Sequence, residues 1–252
     1  GFLVGGIIFK HFTSQEYTIQ SVIVFLERRL FRVLPNYYLA IVINCIIFLS
    51  LGLSIVHVWQ YFFLIQNIAT PIPEFFPETW SLPIKELGYI VLVFLLLIFS
   101  QFINPKFKEI LFLSVVIGLL IVSLITKIIY NLNSNNTDLF LWSLEIRSVV
   151  IYRIDTVMMG ILMGYLFFKF PDKLLKNKLF LLVISVIFFL ILFAVIHVLK
   201  YRLDNGGKWF WNIVCLPFIG VIISFLLPFF LNWKTAPELL QNVIIKICNW
   251  SY

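Results

Sequence analysis

The sequence is short of charge. Only 12% of its 252 residues are Asp, Glu, Lys or Arg, about half of the roughly 25% usual in soluble domains. Against that, 62% of the residues are hydrophobic and 28 of them are Phe. Such a chain cannot cover its surface with polar groups, so the bilayer is its solvent. The net charge of +7 is therefore no nucleic-acid signal. Basic residues in an integral membrane protein mark loops and sidedness instead. Cysteine is scarce too: Cys45, Cys215 and Cys248 lie far apart, in or beside apolar runs. They form neither a metal spacing nor a disulfide framework and read as small buried hydrophobes. The histidines, His11, His57 and His197, have no carboxylate at helical spacing and read as solvated or interfacial. No Gly-rich phosphate loop, HExxH or GxSxG pattern occurs, and no metal is expected. The loops at 131–146 and 200–208 are too short for a soluble catalytic domain. Any active site must be built between helices.

What is present is long apolar runs. About 20 apolar residues cross the hydrocarbon core as a helix, and six runs qualify: roughly 35–55, 83–103, 109–130, 149–168, 179–199 and 210–231. They are continuous rather than alternating, which argues against strands. In lipid only a helix satisfies each backbone group within one segment. The sequence thus predicts an all-α, polytopic transmembrane bundle forming a single domain over 1–252. Residues 1–9 read as the last turns of another span and 247–252 as the first turns of one more, so the chain is expected to be a piece of a longer protein. With residue 10 on the cytoplasmic side, 12 of the 19 Lys and Arg fall in inner loops, which favours that orientation.

The stretch "ERRLFRVLPNYYLAIVI", residues 27–43, sets three arginines before an apolar run. Over 17–34, Ile19, Val22, Leu26, Leu30 and Val33 recur at steps of three and four, which makes one apolar stripe. An interfacial amphipathic helix on the inner leaflet fits, with Pro35 starting or kinking the span that follows. Arg28 and Arg29 each share a helix face with Arg32. Such paired guanidiniums suit phosphate oxygens, and a lipid-headgroup anchor needs the same chemistry.

Ionisable residues inside apolar runs are costly and mark candidate sites. Glu86 sits a turn or so inside the run that follows "FFPETWSLP", with Trp80 and Tyr89 near it. Arg153 and Asp155 lie in the outer part of another span. At a separation of two they point to different faces, so each needs a partner on another helix, and Glu86 is a candidate for Arg153. Glu86, Arg153 and Asp155 are expected to line one outer cavity, with Trp80 and Tyr89 offering aromatic faces at its mouth. Gly160 and Gly164 form a GxxxG pattern that lets helices approach closely.

In this order, these stretches resemble the membrane acyltransferase family 3, integral-membrane proteins that O-acylate glycans. "GFLVGGIIF" resembles the end of the family's second helix. "RRLFRVLPNYY" is similar to its R-R-x-x-R-x-x-P-x-Y segment, "WSLPIKELGY" to W-S-L-x-x-E-E-x-x-Y, "RIDTVMMG" to R-x-D-x-x-x-x-G, and "NWSY" to the start of a late helix. The resemblance implies an acetyl or related acyl group moved from a cytoplasmic acyl-CoA to a hydroxyl of a carbohydrate or glycolipid acceptor in a bacterial plasma membrane. It implies that Arg28, Arg29 and Arg32 hold the donor, that Glu86, Arg153 and Asp155 belong to the catalytic site, and that Trp80, Ser81 and Tyr89 meet the substrate. The family's catalytic histidine is expected upstream of residue 1, so the fragment alone is expected to be inactive. Position 85 is Lys where the family has the first Glu of its pair. The alternatives are a transporter or flippase for a lipid-linked glycan, whose path intramembrane charges would line, and a structural subunit whose charges lock helices together.

Overall fold

The computed structural model describes residues 1–14, 17–55, 57–135, 138–198, 203 and 207–231. It is all-helical: α1 (Phe2–Thr13), α2 (Ile19–Ser50), α3 (Val58–Phe62), α4 (Ser81–Ser100), α5 (Lys108–Asn133), α6 (Leu139–Trp142), α7 (Val150–Lys169), α8 (Pro171–Lys176), α9 (Lys178–Phe193) and α10 (Leu216–Leu231). Six helical stretches are long and apolar enough to cross a membrane: Ile19–Ser50, Pro77–Ser100, Pro105–Asn133, Val150–Lys169, Lys178–Val198 and Phe210–Leu231. Each overlaps one of the six expected runs, and the chain is that of an integral membrane protein. Cys248 and "NWSY" lie outside the described residues.

One boundary differs from expectation. Residues 17–34 are not a separate interfacial helix. From Ile19 onward they form the first half of α2, which runs unbroken through Pro35 for 32 residues. Thr18 starts it, its hydroxyl accepting from the Ser21 amide at 3.3 Å while Ser21 Oγ accepts from the Thr18 amide at 3.0 Å. Reciprocal capping of this kind satisfies two orphan donors. Pro35 removes one amide from the ladder, yet flanking helix on both sides keeps the segment continuous. Of the expected stripe, Val22 and Leu26 pack into the core while Ile19 stays 60% exposed.

The core sits where α1, α4, α5 and α7 meet. Phe9 packs edge-on to Phe112 and Tyr165, with ring centroids 5.1 and 4.8 Å away. Helix α1 can approach α7 closely because glycines line the seam. A Cβ on Gly5 would stand 2.6 Å from the Ile161 Cα, and one on Gly164 would collide with the Phe2 carbonyl. The GxxxG pattern is thus a packing device, as its small residues allow.

Register between α4 and α7 is set by a polar pin. The Asn67 side-chain amide donates to the Trp80 carbonyl, just before α4, at 2.9 Å and to the Ser148 carbonyl, just before α7. The Asn67 backbone carbonyl accepts from the Val150 amide at 2.9 Å. Asn67 is fully buried, where an unpaired amide N–H is expensive, so the donors on its side-chain nitrogen fix the two helices to begin at one level, while its side-chain oxygen has no partner among the described residues. Gly88 then faces Val157. Because α1 runs parallel to α7 and α2 returns antiparallel to α1, α2 climbs from Tyr17, whose hydroxyl donates to the Val93 carbonyl at 2.9 Å, towards the end at which α4 and α7 start. Past Leu34, α2 packs through Tyr37 and Ile41 against Tyr61, Leu64 and Phe75.

Candidate functional site

Arg29 projects from α2 onto α4 and meets Glu86 in a bidentate ion pair. Its Nε lies 2.6 Å from Oε2 and its Nη2 lies 2.9 Å from Oε1. The guanidinium carbon also lies 3.9 Å from the centre of the Tyr89 ring. Glu86 and Tyr89 are on one face of α4, three residues apart, and both are almost fully buried. The planar fork matches the carboxylate and stacks on the ring at once, a geometry that Lys could not reproduce.

This arrangement corrects three expectations. Glu86 pairs with Arg29 rather than with Arg153. The Tyr89 ring, 2% exposed, lies beneath Arg29 rather than at a cavity mouth. The arginines and Glu86 do not lie at opposite ends of the bundle either, since a direct contact places them in one layer. Moving Arg28, Arg29 and Arg32 to the end where α4 and α7 begin also erases the excess of basic residues that favoured the orientation read from the sequence.

Beside the pair runs a groove of about 1110 Å³ between α1 and α2. Leu3, Val4 and Ile7 of α1 and Val24 and Phe25 of α2 form apolar walls, and Arg28, Arg29 and Arg32 crowd one end. His11 and Thr18 line the other end, where the imidazole packs against Tyr17 and stacks on Phe25 with centroids 5.2 and 5.9 Å away. About fifteen residues of helix separate Thr18 from Val33, or roughly 22 Å at 1.5 Å per residue. Arg28 is exposed and makes no ion pair among the described residues. Long, cationic at one end and greasy along its length, the groove suits an anionic head with an extended apolar or weakly polar arm.

Asp155 belongs to a second pair, on the far side of α7. It is bound by Lys127 of α5, and its other oxygen accepts from the Thr156 amide at 2.7 Å. Lys127 is fully buried and Asp155 nearly so. The next turn of α5 adds Asn131, whose side-chain carbonyl accepts from the Asn212 amide at 2.8 Å. Arg153 points elsewhere, as its spacing from Asp155 required. Its Nε is buried without a hydrogen-bond acceptor among the described residues. Glu86, Arg153 and Asp155 therefore do not share one cavity. Trp80 closes the start of α4, its ring 4.9 Å from the Arg147 guanidinium, and Ser81 opens that helix.

Sequence reasoning missed Lys127, which lies inside the apolar run 109–130, and Asn67. A signal for the lysine was present: Ser123, Lys127 and Asn131 recur every four residues, a polar stripe that must turn inward in lipid. Asn67, in a loop among ordinary turn residues, gave none.

Compared with models of protein families, with characterised proteins and with solved structures, the chain has no significant match.

Proposed function

We propose that the chain is the donor-binding part of a membrane O-acyltransferase that takes an acyl group from acyl-CoA and places it on a glycan hydroxyl. The observation that carries the reading is the groove: three arginines at one end of an apolar trough long enough for an extended thioester. Coenzyme A has that shape and polarity, with phosphates at one end and a flexible arm leading to the thioester. Arg28 and Arg32 meet the phosphates, and the arm follows the walls made by Ile7, Val24 and Phe25. Arg29, already held by Glu86, either stays as a fixed positive pole or exchanges its carboxylate for a donor phosphate.

In the transfer, the acyl carbon leaves the coenzyme sulfur for an acceptor oxygen. The C–S bond breaks, a C–O bond forms, and the hydroxyl proton ends on the departing thiolate. The family resemblance implies a histidine as the base, a role that none of the groove residues takes. Within this chain Glu86 tunes Arg29, Tyr89 supports it, and Asp155 is occupied by Lys127. The reading requires the Arg32 end of the groove to face the cytoplasm, where acyl-CoA is made.

Acetyl-CoA binding to the full-length protein in detergent tests it. Arg28→Gln with Arg32→Gln should weaken binding at least ten-fold, since each charge-assisted contact contributes about 1.5–3 kcal/mol. Equal affinities would return the arginines to the role of lipid-headgroup anchors. A cysteine placed at position 32 should react with an impermeant thiol reagent only in inverted vesicles.

A further inference from the structure

The groove between α1 and α2 has the length of half a bilayer. From Thr18 to Arg28, α2 rises about 15 Å at 1.5 Å per residue, half of the ~30 Å hydrocarbon core. Its cationic end also lies near the depth of an interface. Arg29 meets Glu86, five residues past the start of α4 at Ser81, or about 7 Å along that helix. Arg28 adjoins it, exposed and without an ion pair among the described residues. An arginine stem is long enough to carry its head from there to the membrane surface. Glu27, the neighbouring acid, does not line the groove.

Below the arginines the walls are methyl and methylene surface. Leu3 and Ile7 of α1 and Val24 of α2 line the trough and are 65%, 57% and 37% exposed. The trough is therefore open along its side, and the apolar outer surface of a membrane-spanning bundle meets lipid chains. At the far end, the hydroxyls of Thr18 and Ser21 each accept from the other's backbone amide, so they ask little of a ligand. A saturated chain lying here leaves no polar group of its own unsatisfied.

We propose that one anionic phospholipid occupies this groove at rest, its phosphate on Arg28 beside the Arg29–Glu86 pair and one acyl chain laid between α1 and α2, and that acyl-CoA must displace it to bind. The displacement rests on the acyltransferase reading; the lipid site does not. A guanidinium and a phosphate form charge-assisted bonds, and basic side chains near a membrane surface attract anionic lipid. Free phosphate brings the charge without the chain, and a zwitterionic lipid brings the chain without the net charge. Only an anionic lipid brings both. Donor binding then weakens as the anionic lipid content of the membrane rises, so membrane composition regulates the donor site.

Native mass spectrometry of the full-length protein in detergent would compare retained phosphatidylglycerol, phosphatidylcholine of the same chains and glycerol phosphate. The wild type should prefer phosphatidylglycerol to phosphatidylcholine about five-fold and bind no glycerol phosphate. Arg28→Gln should remove most of that preference and Arg28→Lys should keep it. Val24→Trp, which fills the trough, should lower retention of both lipids. The lipid site would be overturned by an equal preference in wild type and Arg28→Gln, by unchanged retention in Val24→Trp, or by glycerol phosphate bound as well as the lipid. Acetyl-CoA titrations in nanodiscs test displacement. Adding phosphatidylglycerol to phosphatidylcholine discs should raise the apparent Kd about five-fold in the wild type and much less in Arg28→Gln. The same rise in both would report only the surface charge of the disc and would overturn displacement, as would no rise in either. The parent reading fails separately: phosphatidylglycerol retained without any acetyl-CoA binding would remove the acyltransferase and leave the lipid site, whereas acetyl-CoA binding without lipid retention would keep the enzyme and remove the lipid.

Discussion

Arg29–Glu86 and Lys127–Asp155 are two ion pairs at nearly one depth, since α4 and α7 begin level and each carboxylate lies within the first two turns of its helix. Their surroundings differ. The Lys127 and Asp155 side chains are 1% and 4% exposed, whereas Arg29 is 21% exposed against 3% for Glu86. In a sealed site both ions were desolvated on folding, and neither can leave without stranding the other. At a groove edge one partner keeps solvent or ligand within reach, so its bond can be exchanged. An intramembrane charge is thus structural or functional by what lies beside it, not by its presence.

The largest effect is expected from removing one sealed partner. Lys127→Met or Asp155→Leu alone should destabilise the detergent-solubilised protein by about 3–5 kcal/mol, and the double variant should recover most of that. A melting temperature left unchanged by either single change would show that water reaches the site. At the groove pair the expected cost is smaller and unequal. Arg29→Gln strands the more deeply buried Glu86 and should cost about 1.5–3 kcal/mol, more than Glu86→Gln, which leaves an arginine able to turn into the groove. Equal losses would mean that Arg29 has no such freedom. The same Glu86→Gln variant should bind acetyl-CoA more tightly than wild type while turning over more slowly, because the donor no longer competes with the carboxylate for Arg29. Titration calorimetry with a non-hydrolysable thioester analogue would report it.

Two further measurements probe the groove's surroundings. Gly5→Ala puts a methyl against the α7 backbone, and overpacking of this kind costs typically 1–3 kcal/mol. Because α1 forms a wall of the groove, donor affinity should fall with stability in that variant, unlike in Arg28→Gln. The smallest expected effect is that of salt. Exposed pairs are screened over roughly 8–10 Å at physiological ionic strength and buried pairs much less. Going from low to high salt should therefore shift the melting temperature of the wild type slightly, and that of Glu86→Gln less. A shift of the same size in both would remove the groove pair as its source.

Hydropathy and the limits on backbone hydrogen bonding in lipid are local properties, readable along the chain. The sequence by itself therefore determined the solvent, the helical class, the six spans and the conclusion that Glu86, Arg153 and Asp155 each required something polar nearby. It also marked the arginines as a fork and Gly160 with Gly164 as a close seam. It did not determine who meets whom. Arg29 and Glu86 are 57 residues apart and Lys127 and Asp155 are 28 apart, and such pairs depend on the relative sliding and rotation of helices, to which composition is indifferent. A shift of one helical turn would give every charge a different neighbour while leaving each hydrophobic run as apolar as before. That register was decided by tertiary contacts alone, by Asn67 tying the starts of α4 and α7 together and by glycines letting α1 lie against α7. Pro35 is the same case in reverse: a local rule predicted a new start or a kink there, and α2 is continuous because its backbone groups in an apolar environment are better satisfied within one helix than at two exposed ends.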